Sequence, residues 1–189
     1  ENLENQISLV YDISNHENQS QLLEMLIGLA GTSEKLSIKS SQRESSYPKF
    51  EIHKNGLSTG IAFHGIPGGH EFTSLILAIL NSDGKGKFPD DMIMRRIQNL
   101  KGPIKLKTYI SLSCENCPDV VQALNLMAIL NSNFEHTMVD GAYEQDEIKK
   151  LGIQGVPSVM DGEKLLSAGK IGLSDLLKKL EAHYGTSES

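Results

Sequence analysis

The chain reads as one pattern written twice, and that repetition narrows its fold more than any other feature. At an offset of 97 residues, the distance from Ile7 to Ile104, Ile7 falls on Ile104, Leu9 on Leu106 and Ile13 on Ile110. In the first copy Ile7–Ser14 is a β-rich apolar run. Gln19–Ala30 follows, with Leu22, Leu23, Leu26, Ile27 and Leu29 at helical spacing and Gly31 as the stop. Leu36–Lys39 is a short strand, and Phe50–His53 and Ile61–Phe63 pair about a turn at Lys54-Asn55-Gly56. Helices over Glu71–Leu80 and Asp90–Leu100 complete the copy.

Lys101-Gly102-Pro103 breaks the chain, and the order restarts. Ile104–Ile110 is a strand, Pro118–Leu130 a helix apolar on most sides, Phe134–Val139 a strand and Tyr143–Leu151 a helix. Ser158–Met160 and Lys164–Ser167 make a hairpin about Asp161-Gly162-Glu163, and Ser174–Ala182 is the closing helix. Each copy is therefore β-α-β followed by β-β-α. The crossover makes parallel strands and the hairpin adds antiparallel ones, so each copy is expected to be a mixed sheet flanked by helices. The expected class is α/β, with one domain over residues 1–100, a second over 101–184, and 185–189 as tail or linker.

Bulk properties remove several function classes. Residues 1–100 and 101–189 each carry 9 basic and 12 acidic side chains, so the net charge of −6 is shared evenly and no basic face for nucleic acid is expected. The longest apolar run, around Leu75–Leu80, is too short to cross a bilayer, and no secretory signal opens the chain. Two cysteines do not make a disulfide-stapled secreted scaffold, which leaves the cytoplasm as the expected compartment.

Both cysteines stand in Cys114-Glu115-Asn116-Cys117, between a strand and a helix. One helical turn brings such sulfurs within bonding reach. Cys114, at the helix mouth, faces unpaired N–H groups and the positive end of the dipole, which favour a thiolate and make it the attacking sulfur. Cys117, deeper and followed by Pro118 in the first helical turn, is the resolving thiol. A structural disulfide is a weaker reading, because so short a loop constrains the unfolded chain little. A zinc site would need two more ligands, and His136 and His183 lack ligand spacing. Two inert buried thiols are the third alternative. A second signal is Gly155-Val156-Pro157-Ser158, where a cis Val156–Pro157 bond opposite the thiols would free the Val156 backbone to pair with a partner strand. Met92, Met94, Met127 and Met138 are expected to fill core, and His16, His53 and His64 to lie at the surface or in turns.

C-E-N-C before a helix, with V-P before a late strand, resembles the thioredoxin superfamily. The longer string S-L-S-C-E-N-C-P-D-V-V-Q-A-L-N-L-M-A-I-L-N, together with G-G-H-E-F-T-S-L-I-L-A-I-L from Gly68 to Leu80, resembles the N-terminal domain of the alkyl hydroperoxide reductase flavoprotein (AhpF) over essentially the whole chain. That resemblance implies two tandem thioredoxin-like folds, only the second with a dithiol. It implies a redox-active Cys114–Cys117 pair that takes electrons from an NADH- and FAD-dependent flavoprotein module and reduces the disulfide of a peroxiredoxin, the peroxidase component of alkyl hydroperoxide reductase. It also implies a catalytic role for Glu71, which matches the glutamate of G-H-E-F, while Thr108 stands where thioredoxin keeps a buried acid. The bland alternative for Glu71 is a helix-start acid favoured by the dipole. Glu115 replaces the histidine common in the family, and its charge should raise the Cys114 pKa. Gly84-Lys85-Gly86 is no dinucleotide fingerprint, so no FAD or NADH site is expected within this span and no metal is required. Such a chain is either one domain of a longer flavoprotein or a stand-alone relative. The competing functions are a general protein disulfide reductase or isomerase, and a thioredoxin-fold binding module with an incidental dithiol.

Overall fold

A computed structural model describes residues 3–187. Eight strands make a single sheet: β1 (Ile7–Ile13), β2 (Leu36–Glu44), β3 (Lys49–Lys54), β4 (Leu57–His64), β5 (Ile104–Ile110), β6 (Phe134–Asp140), β7 (Ser158–Asp161) and β8 (Lys164–Ala168). Their spatial order is β2-β1-β3-β4-β6-β5-β7-β8, so the order of the first four is repeated by the second four. Within each half the first two strands pair in parallel and the hairpin strands antiparallel. The halves do not keep separate sheets. The parallel pairing of β4 with β6, from Ile61↔His136 to His64↔Val139, joins them. Each half alone would leave one of these strands as an open edge, and pairing the two removes both liabilities.

The helices are α1 (Gln19–Ala30), α2 (Phe72–Ser82), α3 (Asp91–Gln98), α4 (Cys117–Leu130), α5 (Gln145–Leu151) and α6 (Leu173–Tyr184). At the centre lies α4, packed on α2, α3, α6 and strands of both halves. Its sequence explains this position: Val120, Val121, Ala123, Leu124, Leu126, Met127 and Ala128 bury nearly its whole circumference. The same core takes in Leu22, Leu26, Phe50, Phe63, Leu75, Ile97, Phe134, Met138 and Leu176. A smaller cluster of Tyr109, Val139 and Met160 lies beneath α5.

Three elements differ from the sequence reading. β2 runs on to Glu44 through Ser40, Ser41 and Arg43, a polar stretch whose pairing with β1 leaves no apolar alternation to read. The helix expected from Glu71 begins as a 3-10 turn over Gly69–Glu71, and the one expected from Tyr143 is preceded by another over Gly141–Tyr143, whose Ala142 amide is capped by Asp140. Residues 185–187 form no free tail. Thr186 bridges Leu100, Lys101 N donates to Gly185 O at 3.1 Å and Ser187 N donates to Asn99 O at 2.7 Å; the rest of the expected tail lies outside the described residues.

Met127 and Met138 are core residues, but Met92 is 70% exposed, on the solvent side of the amphipathic α3. No described helix is long and apolar enough to cross a membrane.

Candidate dithiol site

Strands β1, β4, β5 and β6 run in one direction, so the connections leaving them gather along one edge of the sheet. The connection after β5 carries the cysteines. Cys114 and Cys117 form a disulfide, with Cα atoms 5.5 Å apart. Cys117 opens α4 and is fully buried, while Cys114, just ahead of the helix, is partly exposed. Cys114 is thus the sulfur a partner can reach. The first amides of α4, unpaired within the helix, stand next to it as a source of thiolate stabilisation. Glu115 is exposed, where solvent screens its charge.

The Val156–Pro157 peptide bond is cis. Cys114 Sγ lies 3.9 Å from the Val156 carbonyl oxygen, which brings the two sequence signals together across 42 positions of chain. Ser158 Oγ donates to Gly155 O at 2.6 Å, and β7 pairs with the end of β5 at Tyr109↔Ser158, so the strand that follows the proline holds this loop beside the disulfide.

The first half contributes the third wall. His70 N donates to the carbonyl of Leu112, two residues before Cys114, at 3.3 Å. At Gly69, with φ of +53°, an added Cβ would come within 2.9 Å of that same oxygen, so only glycine allows the approach. Glu71 follows and is fully buried. Its Oε1 accepts a 2.6 Å hydrogen bond from Ser74 Oγ, which in turn accepts from Gln122 Nε2 of α4 at 3.1 Å. Its Oε2 has no partner. Burial pushes the carboxyl up from 4.5 to about 7, against the opposing pull of the Ser74 hydrogen bond. A solvated helix-start acid would not be sealed in this way.

Thr108 is buried as well, and donates to His136 Nε2 at 2.7 Å, while His136 Nδ1 bonds Asn125 Oδ1 at 2.7 Å. Burial holds this histidine neutral, its pKa lowered to about 3. Strand alternation places Leu106, His136 and Met138 on the helix-covered face and was the signal available for this network. His64 is half-buried beside Tyr47, and its pKa is also lowered to about 3 by burial and by the charges of Lys49 and Lys107, so it is not a plain surface histidine. Among the described residues no group of three or more His, Cys, Asp or Glu is placed to hold a metal ion.

Residues 104–182 match the family model described as "Thioredoxin domain". The alkyl hydroperoxide reductase flavoprotein AhpF of Pseudomonas aeruginosa is 38% identical over 173 residues, covering 92% of this chain and 33% of that protein. A Bacillus subtilis protein named NADH dehydrogenase is 37% identical over 186 residues, covering 98% of this chain and 36% of its own length. The chain thus spans about a third of the relatives it matches. The crystal structure of the NTD_N/C domain of alkylhydroperoxide reductase AhpF from Enterococcus faecalis superposes with a TM-score of 0.87 at 27% identity, covering 94% of this chain and 92% of that one. A protein disulfide oxidoreductase from Aeropyrum pernix, at 19% identity and TM-score 0.82, shares the fold. Similar in sequence over nearly all its length and similar in fold to a solved example, the chain belongs to the family of AhpF N-terminal domains, a tandem of two thioredoxin-like folds.

Proposed function

We propose that this chain is the dithiol relay of a peroxiredoxin reductase. The observation that carries the reading is the asymmetry of the Cys114–Cys117 pair, one sulfur reachable and beside the cis-proline loop, the other sealed beneath it. In the reduced state the Cys114 thiolate attacks one sulfur of the acceptor disulfide, and the other acceptor sulfur leaves as a thiolate. Cys117 then loses its proton to Glu71 and attacks Cys114, which restores the internal disulfide and expels the second acceptor thiolate. Two electrons pass to the acceptor. The Val156 backbone supports it by pairing with the acceptor strand.

The names of the relatives, a hydroperoxide reductase component and an NADH dehydrogenase, support a peroxiredoxin as acceptor and an NADH-linked flavoprotein portion as donor. The present residues do not fit the flavin or the nicotinamide. Gly84-Lys85-Gly86 joins α2 to α3 with no strand leading into it, so it is no phosphate cradle. Those cofactors belong to the part of the relatives beyond this span.

Trapping tests the proposal. Cys117→Ser should leave a stable mixed disulfide between Cys114 and its acceptor, and mass spectrometry of the adduct should name a peroxiredoxin. An adduct spread over unrelated disulfide proteins would instead indicate a general disulfide reductase, and no adduct a passive binding module.

A further inference from the structure

The cysteine-free half keeps the layout of a dithiol site. At the repeat offset, Glu17-Asn18-Gln19-Ser20 stands where Cys114-Glu115-Asn116-Cys117 does, and Tyr47-Pro48 leads into β3 as Val156-Pro157 leads into β7. That place is filled from the other half. The ring of Tyr143, from the 3-10 turn after β6, stacks on Tyr47 with centroids 4.8 Å apart and planes 7° from parallel. His16 meets the same ring edge-on at 5.3 Å, and Asn18 Nδ2 donates to the Tyr143 hydroxyl at 2.9 Å.

The exchange is reciprocal. β4 and β6 are neighbours at the centre of the sheet, and their outgoing connections cross. The one after β4 carries Gly69–Glu71 to the dithiol, and the one after β6 carries Tyr143 to the empty site. Gly65 marks the crossing. Its φ is +129°, and a Cβ there would come within 2.7 Å of Asp140 Cβ and 3.6 Å of the Tyr143 ring. Gly65 N also donates to Pro48 O at 2.9 Å. The connection to Glu71 is therefore clamped at its start by the Tyr143 cluster and at its end by Leu112.

We infer that Tyr143 is a positioning residue for the dithiol: lodged in the cysteine-free site, it fixes the Gly65–Glu71 connection and so keeps the Glu71 carboxyl sealed against α4. The functional weight of this inference rests on the reading of Glu71 as proton acceptor for Cys117. The groups packed around Glu71 present Ser74 and Gln122 to it as polar neighbours. The ionisable members of those segments, His70 and Asp119, are not buried against it, and Cys117 does not titrate while it is in the disulfide. Burial is thus the quantity that Tyr143 controls.

The test is a carbon-13 NMR titration of the Glu71 carboxyl in the oxidised protein, assigned by its loss in Glu71→Gln. Tyr143→Ala should lower the midpoint by about one pH unit or more, a tenfold change in proton affinity. Tyr143→Phe, which keeps the ring and loses only the Asn18 hydrogen bond, should leave it unchanged. A general loss of stability would not move this midpoint in the folded protein, so an unmoved value in a folded Tyr143→Ala protein overturns the inference. Should that variant not fold, the double substitution His16→Ala with Asn18→Ala loosens the same clamp from the other side. A downward shift supports the inference and a constant midpoint overturns it. No thiol reacts in this measurement, so its outcome is independent of whether trapping yields a peroxiredoxin.

Discussion

Ser74 Oγ donates a 2.6 Å hydrogen bond to Glu71 Oε1, while Oε2 of the same buried carboxyl meets no partner. The single bond favours the charged form, and burial, which is stronger, favours the neutral one. Ser74→Ala removes the only opposition. The Glu71 titration should then rise above about 7, by on the order of one pH unit, and NMR of the labelled carboxyl reads it directly. A fall would mean that water replaces the hydroxyl.

The same carboxyl sets a slope of stability against pH. Its folded value is raised from 4.5 to about 7, so the native state holds a proton that the unfolded chain has released between those values. Stability from this group is complete below 4.5 and is lost as pH rises through 7. Glu71→Gln should therefore be more stable than the parent at pH 8, by up to about 3 kcal/mol, and no more stable at pH 4. Urea unfolding at the two pH values checks the sign.

Differential alkylation should separate the two sulfurs after reduction. Cys117 is wholly buried and Cys114 is partly exposed, so limiting iodoacetamide should label Cys114 first. Labelling of Cys114 should proceed well below about pH 8 if the start of α4 stabilises its thiolate. Equal labelling of both would contradict the asymmetry on which the relay depends.

What the sequence made legible was local. The apolar spacing of Leu22 and Leu26 marks α1 at its observed ends, and a turn of three positions suffices to bring Cys114 to Cys117. The joining of β4 to β6 was not legible, because backbone groups make that seam and every residue carries them. Glu71 was readable as a motif position, yet its burial depends on α4, whose Gln122 lies 48 residues from Ser74. Tyr143 looked like the start of a helix. Its real setting is made by Asn18, 125 residues earlier, and no periodicity encodes such a contact.

The buried triad of Thr108, His136 and Asn125 gives the opposite pH response. With Asn125 Oδ1 as acceptor, Nδ1 of His136 carries the proton and Thr108 Oγ1 donates to Nε2. The folded pKa is lowered from 6.5 to about 3, so this stability is complete above 6.5 and is lost as pH falls towards 3. Thr108→Val removes the donor that holds Nε2 unprotonated. It should cost about 1–3 kcal/mol at pH 7 and move the acid-unfolding midpoint, followed by circular dichroism, to higher pH.

A glycine pair isolates the strength of the seam between the halves. Gly56 and Gly60 both have left-handed φ, +83° and +87°. Alanine at either carries the backbone penalty, roughly 1–2 kcal/mol. Around Gly56 an added Cβ meets nothing within 4 Å, so Gly56→Ala should cost that penalty alone. At Gly60 the Cβ would stand 2.7 Å from the backbone oxygen of Phe134, at the start of β6, and 3.6 Å from Ala128 Cβ in α4. A backbone atom of a paired strand cannot turn aside as a flexible side chain does, so relief requires β4 and β6 to part. Gly60→Ala should therefore lower the urea midpoint well beyond Gly56→Ala. Equal midpoints would show that β4 and β6 separate at little cost, and that the halves are held together by α4 rather than by the sheet.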